Sequence, residues 1–362
     1  MKTRRFRNFL IGLVGTVVIA VGLTLFTTAT ATTPSYYAVT NLGTLGGSNS
    51  YAFGINDTGQ VVGEAETSSG NSHAFLWKDG AMTDLDPLNS GNSYAIDINN
   101  RGQVLSKFGS HGDTNNYSGF LWSNGTITNF GDYMSGSIIP FGINDVGQVA
   151  GNFIVFGTPY AHACLWKDGN ITDLHTEFNF DAGSTAYEIN NSGQVVGGVD
   201  FTVEFSNGLP VPGNDSHAFF WKDGTMTDLG TLGGSNSDAS DINNKGQVVG
   251  EAKTSSETSH AFLWKDSTMI DLGTLDGYSN SFAFGINNKG QVVGKAETSS
   301  GTSHAFFWKD GTMTDLNSLI PANSGWELTE AQSINKNGQI VGTGKFNGQT
   351  NAFLLTPVWL IN

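Results

Sequence analysis

A single cysteine, Cys164, occurs in the chain, so no disulfide can form within it and stability has to come from packing. Charge is scarce as well: Asp, Glu, Lys and Arg make up 14% of the residues, and acids outnumber bases 32 to 17. A surface of that sign repels phosphate backbones and anionic headgroups, which argues against nucleic acid as a partner. The motifs that punctuate many enzymes are missing: there is no phosphate-cradling glycine loop, no Gly-x-Ser-x-Gly elbow and no His-Glu-x-x-His pair. No window has the period of a helix of useful length. Glycine, by contrast, supplies 48 of 362 residues, a balance that favours turns and strands.

The chain opens with Lys2, Arg4, Arg5 and Arg7, an apolar stretch over residues 9–26, and the spaced pair Ala29 and Ala31. Basic head, apolar middle and small-residue site together read as an export signal cut after Ala31. An uncleaved anchor is the alternative, since 18 apolar residues just reach across a bilayer. Gly12, Gly15, Gly22, Thr16 and Thr24 weaken the stretch as a permanent span. Cleavage removes four basic groups and no acids, taking the net charge from -15 to -19 and leaving a chain with no inserted segment.

What fills the rest is repetition. Ile-Asn, two variable residues, then Gly-Gln begins at Ile55, Ile98, Ile143, Ile189, Ile242, Ile286 and Ile334, at intervals of 43 to 53 residues. A fixed unit at such a period means an array of one supersecondary module. One unit, residues 50–85, has short apolar runs separated by Gly, Asn, Asp and Ser, which predicts four strands at 51–55, 60–65, 73–77 and 81–85. In Asn56-Asp57-Thr58-Gly59 the Asn side chain is placed to bond its own backbone, and Gly59 supplies the positive φ that closes the turn. Asp79-Gly80 is a second hairpin signal. The third strand, His-Ala-Phe-Leu-Trp, is apolar on both faces and has to be covered on both.

Four antiparallel strands in about 44 residues, buried on both faces, describe a blade of a β-propeller. The expectation is an all-β, seven-bladed propeller over residues 38–357, preceded by the signal at 1–31 and a short linker at 32–37, and followed by a tail at 358–362. The last copy ends without its fourth strand. Residues 38–47, AVTNLGTLGG, match the fourth strand and loop at residues 226–234, so the N-terminal strand is expected to complete the last blade and close the ring. A linear β-solenoid is the rival, but it has shorter coils and no need of a displaced strand.

These units resemble the HAF-repeat extracellular proteins of bacteria. The likeness rests on His-Ala-Phe at His73, His217, His260 and His304, on the Trp-Lys-Asp-Gly that often follows, and on the Ile-Asn-x-x-Gly-Gln-Val-Val-Gly block. It covers residues 36–357, with degenerate copies at Ser118, His162 and Asn351. It implies a secreted propeller and carries no established activity, cofactor or catalytic positions.

Residues that recur are expected to be scaffold. The histidines His73, His162, His217, His260 and His304 lie on different blades, too far apart to share a metal ion, and are expected to hydrogen-bond within their own blade. Trp77, Trp122, Trp166, Trp221, Trp264 and Trp308 read as packing between blades rather than a stacking ladder. Asp84, Asp173, Asp228, Asp271 and Asp315 read as solvated charges, since no alternating oxygen-ligand loop for calcium accompanies them. Cys164 stands in the place of a repeated Phe and reads as a small buried apolar residue. No metal and no cofactor is expected.

Function is then sought where copies disagree. Loops joining strands two and three share a face with the blade-to-blade connectors, and the length variation gathers there on blades two to four. Candidate ligand-binding residues are Phe153, Phe156 and Tyr160, then Phe178 and Phe180, then Phe201 and Phe205. Together they make an aromatic sector that suits an extracellular protein, peptide or glycan, unless the long loops bury those aromatics as a lid. The leading expectation is a secreted, monomeric, non-catalytic interaction module at the cell surface or in the extracellular matrix. One alternative is a carbohydrate-active hydrolase or lyase using loop acids among Asp113, Asp132, Glu177, Asp181, Asp200, Glu204 and Asp215. A further alternative is a multivalent lectin-like binder built on the similar loops at Gly43, Gly230 and Gly273.

Overall fold

The computed structural model describes residues 36–86, 91–109, 119–130, 138–154, 160–175, 183–200 and 215–359, together with the backbone of 203–206 and 209–212. Strand β1 (Tyr36–Asn41) comes first. Blade 1 is β2 (Gly46–Ile55), β3 (Val61–Thr67), β4 (Ser72–Lys78) and β5 (Ala81–Asp84). Blade 2 is β6 (Ser93–Ile98), β7 (Val104–Phe108), β8 (Gly119–Ser123) and β9 (Thr126–Asn129). Blade 3 is β10 (Ile138–Ile143), β11 (Val149–Ile154), β12 (Ala161–Lys167) and β13 (Asn170–Asp173). Blade 4 is β14 (Ser184–Ile189), β15 (Val195–Asp200), β18 (Ser216–Lys222) and β19 (Thr225–Asp228), with the hairpin β16 (Val203–Ser206) and β17 (Leu209–Pro212) inserted between its second and third strands. Blade 5 is β20 (Gly233–Ile242), β21 (Val248–Thr254), β22 (Ser259–Lys265) and β23 (Thr268–Asp271). Blade 6 is β24 (Asn280–Ile286), β25 (Val292–Glu297), β26 (Ser303–Lys309) and β27 (Thr312–Asp315). Blade 7 is β28 (Trp326–Ile334), β29 (Ile340–Phe346) and β30 (Gln349–Val358), completed by β1 pairing antiparallel with β30 from Tyr36 opposite Val358 to Asn41 opposite Phe353. The protein is a seven-bladed β-propeller whose ring is closed by its first strand, and β1 begins at Tyr36, two residues ahead of the expected boundary.

The turns form for the reasons their residues supply. Asn56 N–H donates to the Gln60 carbonyl, Gly59 N–H returns to the Asn56 carbonyl, and Gly59 has φ +81°. Asp79 and Gly80 both have positive φ, 51° and 86°, as a two-residue hairpin matching strand twist requires. In the second strand, the glycine of Val-Val-Gly is dictated by the bulge opposite it: a β-carbon at Gly63, Gly197, Gly250 or Gly294 would lie 1.9 Å from the carbonyl oxygen of the inner strand.

Packing runs between blades. The common interface buries inner-strand Ala and Ile, second-strand Val, the Phe of the third strand and the Leu that ends the fourth, as with Leu229, Ala239, Ile242, Val248 and Phe262 between blades 4 and 5. The six repeated tryptophans are half-buried and lean on these clusters, as expected. Small polar residues add a second repeated tie: Ser50, Ser93, Ser184, Ser237 and Ser281 each accept the Ala N–H of the preceding blade's third strand at 2.8 to 3.0 Å.

The asparagine of each Ile-Asn turn has a role beyond its own turn. Its Oδ1 accepts two N–H groups of the turn, two and four residues on. Its Nδ2 donates to the following Gln Oε1 and to the carbonyl of the same Asn in the next blade. Asn56, Asn99, Asn144, Asn190, Asn243, Asn287 and Asn335 thereby form a closed ring of seven interblade bonds at 2.9 to 3.1 Å. Each amide uses both hydrogens and both lone-pair directions of its oxygen, so no other residue type fits the position. The repeated aspartates are not free charges. Each accepts from the histidine of its own blade: His73 Nδ1 lies 2.8 Å from Asp84, His162 2.9 Å from Asp173, His217 3.0 Å from Asp228, His260 2.9 Å from Asp271 and His304 2.7 Å from Asp315. The other carboxylate oxygen takes the N–H two residues on, which fixes the start of the connector.

Candidate ligand-binding cleft on the connector face

Seven inner strands surround a central cavity of about 400 Å3. At the tight-turn end it is edged by the asparagine ring and by the residues that follow it, Asp57, Asn100, Asp145, Asn191, Asn244, Asn288 and Lys336. Deeper in, the inner strands of blades 2, 4 and 5 carry acids, Asp97, Glu188 and Asp241, where blades 1, 3 and 6 have Gly54, Gly142 and Gly285. Asp97 bridges two blades, accepting from Ile98 N–H at 2.7 Å and Ile143 N–H at 2.8 Å. Asp241 does the same with Ile242 and Ile286 at 2.6 and 2.7 Å. Burial pushes the Asp97 carboxyl up to about 7 and the Asp241 carboxyl up to about 6. Burial and then Asp97 and Asp241 raise Glu188 well above the usual carboxylate range. Glu188 accepts from Ile189 N–H at 2.9 Å; among the described residues the bonds of all three acids go to scaffold backbone, and those of Asp97 and Asp241 join blades.

Toward the connector face the second strand contributes one variable residue per blade, just after the bulge: Glu64, Lys107, Asn152, Gly198, Glu251, Lys295 and Thr343. Three of these side chains bridge to the next blade. Lys107 Nζ sits 3.5 Å above the Phe141 ring. Asn152 Nδ2 donates to Thr185 Oγ1 at 2.9 Å. Lys295 Nζ lies 3.6 Å from Glu330. Lys107 is 6% exposed with only an aromatic face beside its ammonium, and burial lowers its pKa to about 7.

Gly198 breaks the pattern. Having no side chain, it lets the Asp238 carboxyl of blade 5 come close: a β-carbon at Gly198 would lie 2.7 Å from Asp238 Oδ1. Two cavities that share Ser216 lie on either side of this contact. One, about 320 Å3, is lined by Tyr160, Thr185, Tyr187, Gly198, Asp200 and Ser216. The other, about 590 Å3, is lined by Ser216, Asp238, Glu251, Lys253, Ser259 and Phe282. Asp238 faces Glu251 across the β20 and β21 pair. Burial, then Glu251, pushes its carboxyl up to about 7, and it accepts the Tyr187 hydroxyl. Asp200 and Glu251 are also raised by burial, Glu251 despite a bond from Ser259 and nearby Lys253 and Lys295. Asp238 Oδ1 and Asn152 Oδ1 are both buried with no donor within reach among the described residues.

Of the aromatic candidates read from the sequence, Tyr160 is 7% exposed and lines this cleft. Phe153 is half-buried, packs on the cluster between blades 2 and 3, and meets His162 edge-on at 6.2 Å. Phe205 lies on β16, with only its backbone described. Phe156, Phe178, Phe180 and Phe201 fall outside the described residues. Asp200, among the loop acids, lines the cleft, whereas Asp113, Asp132, Glu177 and Asp181 fall outside the described residues. Gly198, Asp238, Glu251 and Tyr187 were not among the candidates. Their signal was present as strand positions that differ from copy to copy at constant length. No group of three or more His, Cys, Asp or Glu among the described residues is placed to hold a metal ion, and no described helix is long and apolar enough to cross a membrane.

A family model described as a protein of unknown function, DUF3466, matches residues 268–353, from the last strand of blade 5 through blade 6 into blade 7. No curated protein matches the chain. Among solved structures, YCF48 bound to D1 peptide is similar at 12% identity and TM-score 0.53, over 90% of this chain and 96% of that one. Acylaminoacyl peptidase from Pyrococcus horikoshii is similar at 13% identity and TM-score 0.46, over 82% of this chain. The chain spans about half, 49%, of that peptidase. The WD40 propeller domain of Doa1 is similar at 13% identity and TM-score 0.45, over 87% and 97%. At these identities the likeness is one of fold.

Proposed function

We propose that this chain is an exported, non-catalytic binding module of the HAF-repeat kind, acting at the cell surface or in the extracellular matrix, with its ligand seated in the connector-face cleft formed by blades 3 to 5. The observation that carries the reading is Gly198: the one glycine in a ring of otherwise larger residues lines one of two cavities that share Ser216 and lets in a carboxyl that is not fully bonded. Concave sites with a few converging polar groups are where ligands bind. The export pattern at residues 1–31 supports the address. N-terminal sequencing of the cell-free product tests it, with Thr32 as the expected first residue.

Peptide and glycan arrays probed with the purified protein and with Gly198→Asn test the site. Asparagine is what blade 3 carries at this position, and here its side chain would displace the Asp238 carboxyl. Loss of the captured ligands by a variant that still unfolds cooperatively supports the cleft; retention of every ligand by the variant rejects it. A carbohydrate-active reading remains second, because Asp238 has the raised pKa of a general acid and Asp200 and Glu251 stand near it. Product analysis of any glycan retained on the array decides between the two, since turnover requires new reducing or unsaturated ends.

A further inference from the structure

The groups left unmet around the cleft have one chemistry in common: they accept. Asp238 Oδ1 is buried against Gly198 with no donor, while the carboxyl accepts from the Ala239 N–H and the Tyr187 hydroxyl. Asn152, 7% exposed, spends its Nδ2 on Thr185 Oγ1 and leaves Oδ1 without a donor; Thr185 itself lines the cleft. Asp200 adds a third acceptor group on the wall; among the described residues no lysine or arginine lines the 320 Å3 cavity, and Lys253 lines the other. Its remaining surface includes two phenol rings, Tyr160 and Tyr187, that can flank an alkyl stem or face a cation.

A buried acceptor without a donor loses the water it gave up on folding, so a ligand that supplies hydrogens regains the most there. When the donor is also cationic, the carboxylates are compensated at the same time. We infer that the cleft takes the basic side chain, lysine or arginine, of an extended segment of a partner protein, with the charged head between Asp200 and Asp238 and the stem against Tyr160 and Tyr187. This rests on the reading of the cleft as the ligand site. The mature charge of -19, after loss of the four basic residues from -15, steers such a partner toward the protein at low salt.

The pH dependence has a defined sign. The groups facing Asp238 are Glu251 on β21, Asp200 on β15 and Tyr187 on β14; none is a cation, and the nearest lysines, Lys253 and Lys295, act on Glu251. A cation binds the ionised carboxyl, so affinity should weaken as pH falls below 7. A neutral hydroxylated ligand held by the protonated carboxyl would show the opposite trend.

Calorimetric titration of the purified protein with Nα-acetyl-lysine amide, Nα-acetyl-arginine amide and the neutral Nα-acetyl-norleucine amide tests the inference. The expected result is one site per chain for the two basic probes, none for norleucine, and about tenfold weaker binding at pH 5.5 than at pH 7.5. Asp238→Asn and Asp200→Asn should each weaken the basic probes by about tenfold or more. Asp200 stands at the margin, so its variant keeps the test open should Asp238→Asn fold poorly. Equal binding of norleucine, affinity that rises on acidification, basic-probe binding unchanged in both variants, or no binding of either basic probe overturns the inference. If that happens while Gly198→Asn still abolishes array ligands, the cleft remains the site and only the ligand class is wrong.

Discussion

Asn335 donates its Nδ2 hydrogen to the backbone carbonyl of Asn56, 3.0 Å away in space and 279 residues earlier in the chain. That bond is the seventh of the ring, and it makes the last blade continuous with the first in the same chemistry that joins every other pair. Beside it the companion ring is incomplete. Backbone N–H groups from Asp57 to Asn244 donate to the side-chain oxygen of the next blade's residue, but Asn288 meets Lys336, which has no acceptor. Lys336 instead pairs with Asp57 at 3.3 Å, so an ion pair sits beside the bond that closes the ring. Because each ring Asn makes four bonds in a buried setting, Asn190→Ala should cost about 2–4 kcal/mol, the sum of several unmet polar groups rather than of one turn bond. Urea denaturation measures it; a loss under about 0.5 kcal/mol would mean that the ring contributes little.

Closure by the first strand makes a second expectation. Tyr37 on β1 is fully buried and meets Phe307 of blade 6 edge-on, with ring centroids 6.5 Å apart. It is therefore a core residue of an interface that exists only once the ring has closed. Tyr37→Ala should lower stability by about 3–5 kcal/mol, as for other large buried aromatics. A surface-like loss in guanidinium denaturation would mean that β1 is dispensable for the last blade.

The architecture was legible because one feature, the Asn-x-x-Gly turn, recurs in constant register and so set the blade count and pointed to the strand missing from the end. The site was less so. Attention to loop length led to Tyr160 and Asp200, which do line the cleft, but passed over Gly198 and Asp238, which lie within strands of unchanged length. Their signal appears only when copies are compared position by position, and its meaning depends on knowing that the residue after the bulge reaches toward the next blade. The histidine and aspartate pairs had a similar signal: blade 7, which has Asn351 in place of His, also has Asn41 in place of Asp, and the two amides bond at 3.1 Å. A change at one position matched by a change at the other is what contact across β-strands requires.

A matched change of the same kind explains Cys164. Between other blades a Leu ending the fourth strand packs with the Phe of the next blade's third strand, as Leu272 does with Phe306 and Leu174 with Phe219. Between blades 2 and 3 the large residue has moved across the interface: Phe130 stands in the Leu position and Cys164 in the Phe position, within one cluster. Cys164→Phe alone should overpack the site at a cost of about 1–3 kcal/mol, and Phe130→Leu alone should open a void. The double variant should recover most of both losses, with a coupling energy of about 1–2 kcal/mol in a double-mutant cycle. Burial, then Asp173, raises the thiol pKa, so Ellman's reagent should label Cys164 only after unfolding. Additive losses in the cycle would show that the two positions do not compensate.

The channel acids tie stability to pH in a direction opposite to a paired carboxylate. Asp97 and Asp241 have folded pKa values raised to about 7 and about 6, and Glu188 is raised well above the usual carboxylate range by burial and then by both of them. The folded chain therefore holds protons that the unfolded chain has already released above about pH 4, so stability from this cluster is greatest in acid and declines as pH rises toward 7. Glu188→Gln removes one of the three charges while keeping the Oε1 that accepts from Ile189 N–H at 2.9 Å. It should raise the melting temperature by about 2–4 °C at pH 8, where the wild-type carboxyls are most ionised. At pH 4.5 the gain should shrink toward zero, because the wild-type glutamic acid is then already neutral. Scanning calorimetry at the two pH values separates this from a packing effect, which would shift both melts alike; a variant that melts lower at pH 8 would mean that the Glu188 charge is compensated in the folded channel.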